Sequence, residues 1–245
     1  MNGSAVTFDF HNTLAHCDPW FDLEVRHLPS AFLGWWSAQG GPTLAEPELA
    51  EADAAYRRLR AAIIAHGNEQ AAEACVAYVL DELGVAADDA VVAAGVRELM
   101  HRTLDVARPT PGSVETVTAL RREGVPLGIV SSAVYHPFLE WTLDRFGILD
   151  AFSDITTSAS AGFYKSRPEI YWHALSRLDA VPARAVHIGD SYQWDVDGAR
   201  RAGLRTVWVR PEDAAQPEGT APDLGLPTLV GAAPGILALL SRGTG

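Results

Sequence analysis

The first residues of the chain alternate between apolar and polar side chains, which is the pattern of a short β-strand. Val6, Phe8 and Phe10 are apolar, whereas Thr7 and Asp9 are polar. An acidic side chain therefore stands where this strand ends. A carboxylate there is costly in a core but useful in a site at the edge of a sheet. Asp9 is the first candidate for a functional side chain.

The segment of residues 17–107 has the three-and-four spacing of amphipathic helices rather than the two-residue period of strands. Breaks at Gly67 and Gly84 divide it. The apolar positions form three runs, namely Leu49, Ala52, Tyr56, Leu59 and Ile63, then Ala72, Val76, Val79 and Leu83, and finally Val92, Val96, Leu99, Thr103 and Val106. The spacing predicts an all-helical domain over residues 17–107, inserted after the first strand.

Beyond a proline-rich connection at residues 108–112, helical and strand patterns alternate. The expected helices are residues 114–123, 137–146, 169–178, 196–202 and 235–240, and the expected strands are residues 125–130, 185–188, 206–209 and an edge strand at 228–230, with a further strand around Ile155. Alternating β and α units imply a parallel sheet with helices on both faces. The sequence thus predicts an α/β fold whose three-layer, Rossmann-like core consists of residues 1–16 and 108–245. Residues 212–227 are expected to be irregular.

Composition narrows the class of protein without changing this picture. The chain has 245 residues, of which 48% are apolar and 20% charged, as in globular proteins. The net charge of −12 disfavours nucleic acid as a partner, and no apolar run is long enough to span a membrane. Cys17 and Cys75 form no disulfide framework. We expect a cytoplasmic protein that is a monomer or a homodimer.

Four segments, far apart in the sequence, carry side chains suited to one catalytic site. They are Asp9-Phe10-His11, the hydroxyls Ser131 and Ser132 after an apolar run, Lys165, and Gly189-Asp190 with Asp195. Lys165 is the only lysine among 19 basic residues. In open parallel sheets the ligand lies at the carboxyl ends of the strands, where these segments are expected to meet. Carboxylates after an apolar strand suit a hard, oxygen-preferring cation.

In this order, the four segments resemble the motifs of the haloacid dehalogenase-like hydrolase superfamily. Those motifs are Asp-x-Asp-x-Thr/Val, a Ser or Thr, a Lys, and Gly-Asp-x-x-x-x-Asp. The resemblance covers the chain from Val6 to about Val209 and is strongest over residues 185–209. It implies a Mg²⁺-dependent phosphatase acting on a small phosphorylated metabolite, with the helical insertion as a cap that closes over the site.

The resemblance also implies a role for each residue. Asp9 would attack phosphorus and form an aspartyl phosphate. Mg²⁺ would be held by Asp9, Asp190, the backbone carbonyl of His11 and, directly or through water, Asp195. The phosphate would be held by Ser131, Ser132 and Lys165. A carboxylate nucleophile is repelled by a phosphate ester, and a bridging cation together with a lysine removes that repulsion.

His11 departs from the motif, because phosphatases of the superfamily usually carry a second Asp there as general acid/base. In one interpretation His11 takes over proton transfer, which its ordinary pKa near 6.5 suits. In the other it only fills the space, and hydrolysis is slow or the chemistry differs. Asn12 replaces a frequent glycine, and Asn tolerates the left-handed backbone that this turn needs.

Other functions on the same scaffold remain open. A mutase or dehalogenase-like reaction is one alternative, and a catalytically weak binding or regulatory member is another. Gly189-Asp190 argues against dehalogenases, which lack this motif. A Schiff-base route through a cap lysine would need a lysine other than Lys165, and the sequence has none.

The predicted cap also holds candidates for substrate selection. Trp35 and Trp36 stand in an apolar helical segment, where core packing is the more frequent role. Arg57, Arg58 and Arg60 lie on a helix whose apolar face is already assigned, so a solvated polar face is expected. One of these arginines is an alternative candidate for binding a second anionic group of a substrate.

Overall fold

The core of the protein is a six-stranded sheet in which every neighbouring pair of strands runs parallel. The computed structural model describes residues 3–210 and 219–242. The strands are β1 (Ala5–Phe8), β2 (Ala15–His16), β3 (Arg108–Pro109), β4 (Leu127–Ser131), β5 (Asp154–Thr157), β6 (Ala185–Gly189), β7 (Arg205–Val209) and β8 (Leu224–Leu226). The sheet order is β5-β4-β1-β6-β7-β8, with β2 and β3 outside it. The predicted α/β class with a parallel sheet is confirmed.

Helices fill the stretch between β2 and β3. They are α1 (Asp18–Asp22), α2 (Leu28–Ala38), α3 (Glu46–His66), α4 (Ala72–Glu82) and α5 (Asp89–Thr103), with a π-helical turn at Leu23–His27 between α1 and α2. Helix α2 packs on α3, α4 and α5. The three periodic runs of the sequence correspond to α3, α4 and α5, so those predicted helices are confirmed. No helix in residues 3–210 or 219–242 is long and apolar enough to cross a membrane.

The remaining helices cover both faces of the sheet. They are α6 (Ser113–Arg122), α7 (His136–Arg145), α8 (Ser158–Ala161), α9 (Glu169–Arg177), α10 (Ala199–Arg201) and α11 (Ala233–Ser241). Val117 of α6, Phe138 of α7 and Ile236 of α11 belong to the core on one face. Ile170 and Leu175 of α9 belong to a second core on the other face. These two cores establish the predicted three layers.

The chain leaves the sheet region through β2 and returns through β3, and these two strands pair antiparallel. Just outside the pair, the backbone N–H of Thr110 donates to the carbonyl of Leu14 at 3.1 Å. The predicted boundaries at residues 17 and 107 fall directly beside this pair. The division into a core and an inserted domain at these boundaries stays a prediction.

The predicted edge strand at residues 228–230 is wrong, and the edge strand lies at β8 instead. The backbone of Arg210, which follows β7, donates to the carbonyl of Leu226 at 2.9 Å. Residues 228–230 turn toward α6, where the hydroxyl of Thr116 donates to the carbonyl of Leu229 at 2.7 Å. Residues 212–227 are thus not irregular throughout, because they include β8. Residues 212–218 of this segment lie outside the described residues.

Gly112 at the start of α6 offers a test of this packing. Its φ is +80°, and a Cβ there would lie 2.2 Å from the backbone nitrogen of Val230. Gly124 has a φ of +72° and open space around it. We expect Gly124→Ala to lower the free energy of unfolding by about 1–2 kcal/mol through the left-handed backbone alone. Gly112→Ala should cost about 1–3 kcal/mol more, because backbone atoms must move.

Urea unfolding of the two variants and the parent protein measures this difference. Gly124→Ala serves as the matched control, since it shares the backbone conformation without the close contact. Equal destabilisation by both substitutions would contradict the described contact between α6 and the segment after β8.

Candidate active site

Three of the four sequence segments meet at the carboxyl ends of the central strands. Asp9 follows β1, Ser131 ends β4, and Asp190 follows β6. The backbone N–H of Asp9 donates to the carbonyl of Ile188 at 2.8 Å, which continues the sheet up to the carboxylate. This edge of the sheet therefore presents a carboxylate, a hydroxyl and a second carboxylate to one cavity.

Lys165, in the loop before α9, completes the group. Its Nζ donates to Oδ1 of Asp9 and, at 2.7 Å, to Oδ1 of Asp195. All three side chains are buried. Burial opposes charge on Lys165, but the two carboxylates outweigh it and hold the pKa of the ammonium above its ordinary value. The ammonium is therefore a fixed positive charge beside Asp9.

Around Lys165, at the carboxyl edge of the sheet, carboxylates outnumber cationic groups. Oxygens of Asp9, Asp190 and Asp195 lie within 4.8 Å of one another, and Lys165 supplies one positive charge. Burial and the neighbouring carboxylates raise the pKa of Asp9 and of Asp190. Clustered carboxylate oxygens are the donors that Mg²⁺ prefers, and a divalent cation would offset the excess negative charge. The donor set thus fits the hard cation that the sequence implies.

Asp195 is positioned by a π-helical turn at Tyr192–Gly198, where the sequence predicts only the start of a regular helix. The backbone N–H of Ser191 donates to Oδ2 of Asp195 at 2.9 Å. A Cβ on Gly189 would lie 2.1 Å from Cγ of Asp195. Only glycine therefore allows the end of β6 and this carboxylate to approach so closely.

Behind Asp195 lies His187, whose place in the site is not predicted from the sequence. Its Nε2 is 3.1 Å from Oδ1 of Asp195, and its Nδ1 is 2.9 Å from Oγ1 of Thr7. His187 is fully buried, and burial lowers the pKa of its ring. A neutral ring that donates from Nε2 and accepts at Nδ1 satisfies both partners. His187 therefore fixes the orientation of the carboxylate that binds Lys165.

A sequence signal for this pair existed. Thr7 and His187 are polar residues inside strands that are otherwise apolar, and they are register partners in β1 and β6. Polar residues buried in neighbouring strands need one another as partners. The sequence does not reveal which strands pair, so the contact between Thr7 and His187 becomes evident only in the structure.

The turn after β1 carries His11. Asn12 has a φ of +60°, so its predicted left-handed conformation is confirmed. Its backbone N–H donates to the carbonyl of Ala15 at 2.7 Å, which closes the turn. The side-chain Oδ1 of Asn12 lies 2.9 Å from Nδ1 of His16. The turn projects the His11 ring toward the cavity.

Aromatic contacts hold the His11 ring. It stacks on Phe21 with ring centroids 4.6 Å apart and planes 4° apart, and the His16 ring lies parallel at 5.9 Å. Its Nε2 has no hydrogen-bond partner among the described residues. Burial lowers the pKa of His11 to about 4. The imidazole is therefore neutral at pH 7.

Both predicted hydroxyls border the same space. Ser131 is buried at the end of β4, and the hydroxyl oxygen of Ser132 accepts from the backbone N–H of Lys165 at 3.4 Å. All seven predicted site residues line one cavity of about 480 Å³. On its opposite side, one face of α1 and the following turn contributes Trp20, Phe21, Glu24 and Val25, and one face of α3 contributes Arg57, Arg60, Ala61 and Ile64.

Arg60 is not part of a solvated polar face, so that expectation is wrong for this residue. It is buried and paired with Glu69, with Nη1–Oε1 and Nη2–Oε2 distances of 2.5 and 3.0 Å. Glu69 also accepts from the hydroxyl of Ser158 at 2.8 Å. Arg57 and Arg58 are exposed as expected, and Arg58 pairs with a neighbouring glutamate on the surface.

Glu24 is a buried acid in the cavity wall formed by α1 and the turn that follows it. One carboxylate oxygen accepts from the backbone N–H of Val134, and the other has no partner among the described residues. Burial raises the pKa of Glu24 to about 8, although the Val134 N–H and Arg60 oppose the shift. The carboxyl group is therefore largely protonated at neutral pH.

Comparisons with known proteins agree with this architecture. The family model described as haloacid dehalogenase-like hydrolase matches residues 4–203. A glyceraldehyde 3-phosphate phosphatase of Methanopyrus kandleri is 31% identical over 207 residues, which are 84% of this chain and 83% of the relative.

Two solved structures share the fold. A phosphatase from Thermococcus onnurineus has a TM-score of 0.63 at 22% identity, covering 96% of this chain and 97% of that one. A 2-haloacid dehalogenase from Pseudomonas syringae has a TM-score of 0.70 at 23% identity, covering 96% of this chain and 98% of that one. Because these two structures are named for different reactions, their similarity concerns the fold alone.

The hydrogen bond between Thr7 and His187 should contribute measurably to stability. Thr7→Val keeps the shape of the side chain but leaves Nδ1 of a buried ring without a donor. We expect the free energy of unfolding to fall by about 1–3 kcal/mol, measured by urea unfolding. Thr7→Ser keeps the hydroxyl and should retain more of the stability. If both variants lose the same amount, the hydrogen bond is not the cause.

The raised pKa of Glu24 predicts that the difference in stability between the parent protein and Glu24→Gln depends on pH. A carboxyl whose pKa rises from 4.5 in the unfolded chain to about 8 in the folded protein contributes stability that is complete below pH 4.5. This contribution is lost as the pH rises toward 8. Glu24→Gln is neutral throughout, so its stability relative to the parent protein should increase from pH 5 to 8 in denaturant titrations. A constant difference would contradict the raised pKa.

Proposed function

The chain belongs to the haloacid dehalogenase-like hydrolases, and on that premise we propose that it is a Mg²⁺-dependent phosphatase that uses Asp9 as its nucleophile. The observation that carries the proposal is the buried contact of Lys165 with Asp9 and Asp195 at the floor of the cavity. A nucleophilic carboxylate beside a fixed ammonium is suited to a substrate that brings negative charge.

Asp9, Asp190 and the backbone carbonyl of His11 are the proposed ligands of Mg²⁺, with Asp195 binding directly or through water. The bound ion would neutralise phosphate charge and align the ester with the nucleophile. The cluster of carboxylate oxygens within 4.8 Å supports this assignment.

The protein side chains divide the chemistry between them. A carboxylate oxygen of Asp9 attacks phosphorus, the ester P–O bond breaks, and the substrate's alcohol leaves as its oxygen takes a proton from water. Water then hydrolyses the aspartyl phosphate, which releases inorganic phosphate and regenerates the Asp9 carboxylate. Lys165 Nζ stabilises the charge on the phosphoryl oxygens, and the Ser131 and Ser132 hydroxyls are placed to donate to them. Asp195, oriented by His187, holds the ammonium in position.

We propose that His11 serves the second half of this reaction as a general base. Its Nε2 lacks a partner among the described residues, and its ring lines the cavity beside Asp9. A neutral imidazole accepts a proton from attacking water more readily than it supplies one to a leaving oxygen. The aromatic contacts with Phe21 and His16 keep the ring in place.

We also propose that residues 17–107 form a cap that selects the substrate. Faces of α1 and α3 make one wall of the cavity, and the carboxyl edge of the sheet makes the other. Closure of such a wall excludes water and holds the ester in position. The substrate class that follows from the family and its phosphatase relative is a small phosphorylated metabolite.

Asp9→Asn tests the nucleophile. The amide keeps the size of the side chain but does not attack phosphorus, so phosphate release should fall by at least about 10³-fold. Release by the parent protein should require Mg²⁺. The assay is phosphate release from a panel of phosphorylated metabolites, with and without Mg²⁺. Asp81→Asn on the exposed side of α4 is the matched control and should be unaffected. Metal-independent turnover, or activity retained by Asp9→Asn, would refute the proposal.

His11→Ala separates proton transfer from metal binding. Loss of a general base should lower kcat by about 10²–10⁴-fold, whereas the Mg²⁺ concentration that gives half-maximal activity should stay within a few-fold. His11→Asp, which restores the residue usual in this superfamily, should recover most of the rate. An equal loss of rate and of metal affinity, or no loss of either, would argue against the role.

A further inference from the structure

We propose that the substrate's alcohol carries a planar heteroaromatic ring with carbonyl oxygens, as in a pyrimidine nucleoside monophosphate, and that Phe21, Trp194 and Arg57 bind this ring. The inference rests on the proposed phosphatase function and deepens it by naming the substrate class. It follows from the size of the cavity, its aromatic walls and one unpaired cation.

The cavity is larger than a triose phosphate needs. Its volume of about 480 Å³ lies within the range of about 300–1,000 Å³ in which proteins enclose drug-sized ligands. The catalytic groups occupy only the floor, at the edge of the sheet. The remaining space extends between α1, α3 and the turn that contains Trp194. A substrate that fills it must be considerably larger than its phosphoryl group.

Aromatic rings form much of the wall around that space. One face of Phe21 is covered by His11, yet the side chain is 38% exposed and lines the cavity. Trp194 is half-buried and is held edge-to-face against Tyr164 at 5.4 Å. Exposed aromatic rings with fixed orientations bind flat π systems by stacking, and every nucleobase has a π face.

Arg57 supplies the polar contact. It is exposed, lines the cavity, and has no hydrogen bond or ion pair with any residue in the described part of the chain. Its neighbours Arg58 and Arg60 are instead engaged by Glu51 and Glu69. A guanidinium only donates hydrogen bonds, so its ligand must offer oxygen acceptors.

A ring with carbonyl oxygens can contact the aromatic side chains and Arg57 at the same time. The ring stacks on apolar surface, and a carbonyl faces the guanidinium of Arg57. A second phosphate or carboxylate on an aliphatic chain would use Arg57 but would leave the aromatic surface of Phe21 and Trp194 without a counterpart. The aromatic walls therefore favour the heteroaromatic ligand over a doubly anionic sugar.

The decisive experiment compares UMP with ribose 5-phosphate, which is the same sugar phosphate without the base. We expect the parent enzyme to have a kcat/KM at least about 10-fold higher for UMP. In Phe21→Ala the ratio of the two kcat/KM values should fall by about 5- to 150-fold, the range expected for losing one stacked ring. The ratio cancels any effect of the substitution on the shared phosphate chemistry.

Matched variants locate the effect. Phe21→Tyr keeps the ring and should keep the ratio, and Arg57→Ala should lower it. Tyr78→Ala removes an exposed aromatic ring of α4 that lies outside the cavity, and it should leave the ratio unchanged. A ratio near one in the parent enzyme, an unaltered ratio in Phe21→Ala, or faster turnover of fructose 1,6-bisphosphate than of UMP would overturn the inference.

Binding to the Asp9→Asn protein separates this inference from the proposed reaction. Calorimetric titration in the presence of Mg²⁺ should give a Kd for UMP at least about 10-fold lower than for ribose 5-phosphate. This result would stand even if no substrate of the panel released phosphate, which would refute the phosphatase function alone. Equal affinities would overturn the inference whether or not the enzyme hydrolyses other phosphate esters.

Discussion

The buried contact of Lys165 with Asp9 and Asp195 is the interaction on which the rest of the site depends. Desolvating several carboxylates together is strongly unfavourable, and removal of the single ammonium would leave like charges in contact. The three side chains come from a strand end, a loop and a π-helical turn. Their meeting therefore requires the strand order, the close approach at Gly189 and the support of His187 behind Asp195.

The same edge of the sheet is tied to the helical segment between β2 and β3 by buried polar groups. Glu24 accepts from the backbone of Val134 just after β4, and Glu69 links Arg60 to Ser158 just after β5. The stack of Trp20 on Phe138, at 4.8 Å and 6°, adds an apolar contact between the two parts. The cavity wall opposite Asp9 and Lys165 is thus held by specific bonds, so a substitution there is expected to change stability as well as the shape of the cavity.

Local patterns made much of the fold predictable. The helical runs that became α3, α4 and α5 needed only their own periodicity, and the strands β1, β4 and β6 needed only short apolar segments with turn signals. The short β8 escaped prediction because its place at the edge depends on Arg210 and β7 rather than on its own apolar pattern. Asp9, Ser131 and Asp190 could be named because they stand at strand ends. Lys165 and Asp195 could be named because the order of the four segments resembles the motifs of haloacid dehalogenase-like hydrolases.

Long-range pairing explains what the sequence did not reveal. His187 joins the site through its contact with Asp195, and strand register pairs it with Thr7. Arg60 is buried in an ion pair with Glu69, nine residues further along the chain. The central hypothesis is that Asp9 carries the phosphoryl group in a covalent bond. The most direct measurement is mass spectrometry of acid-quenched His11→Ala protein during turnover, where the second step should be slow. The account predicts one phosphoryl group on the peptide that contains Asp9, and turnover with no phosphorylated Asp9, or with the group on another residue, would contradict it.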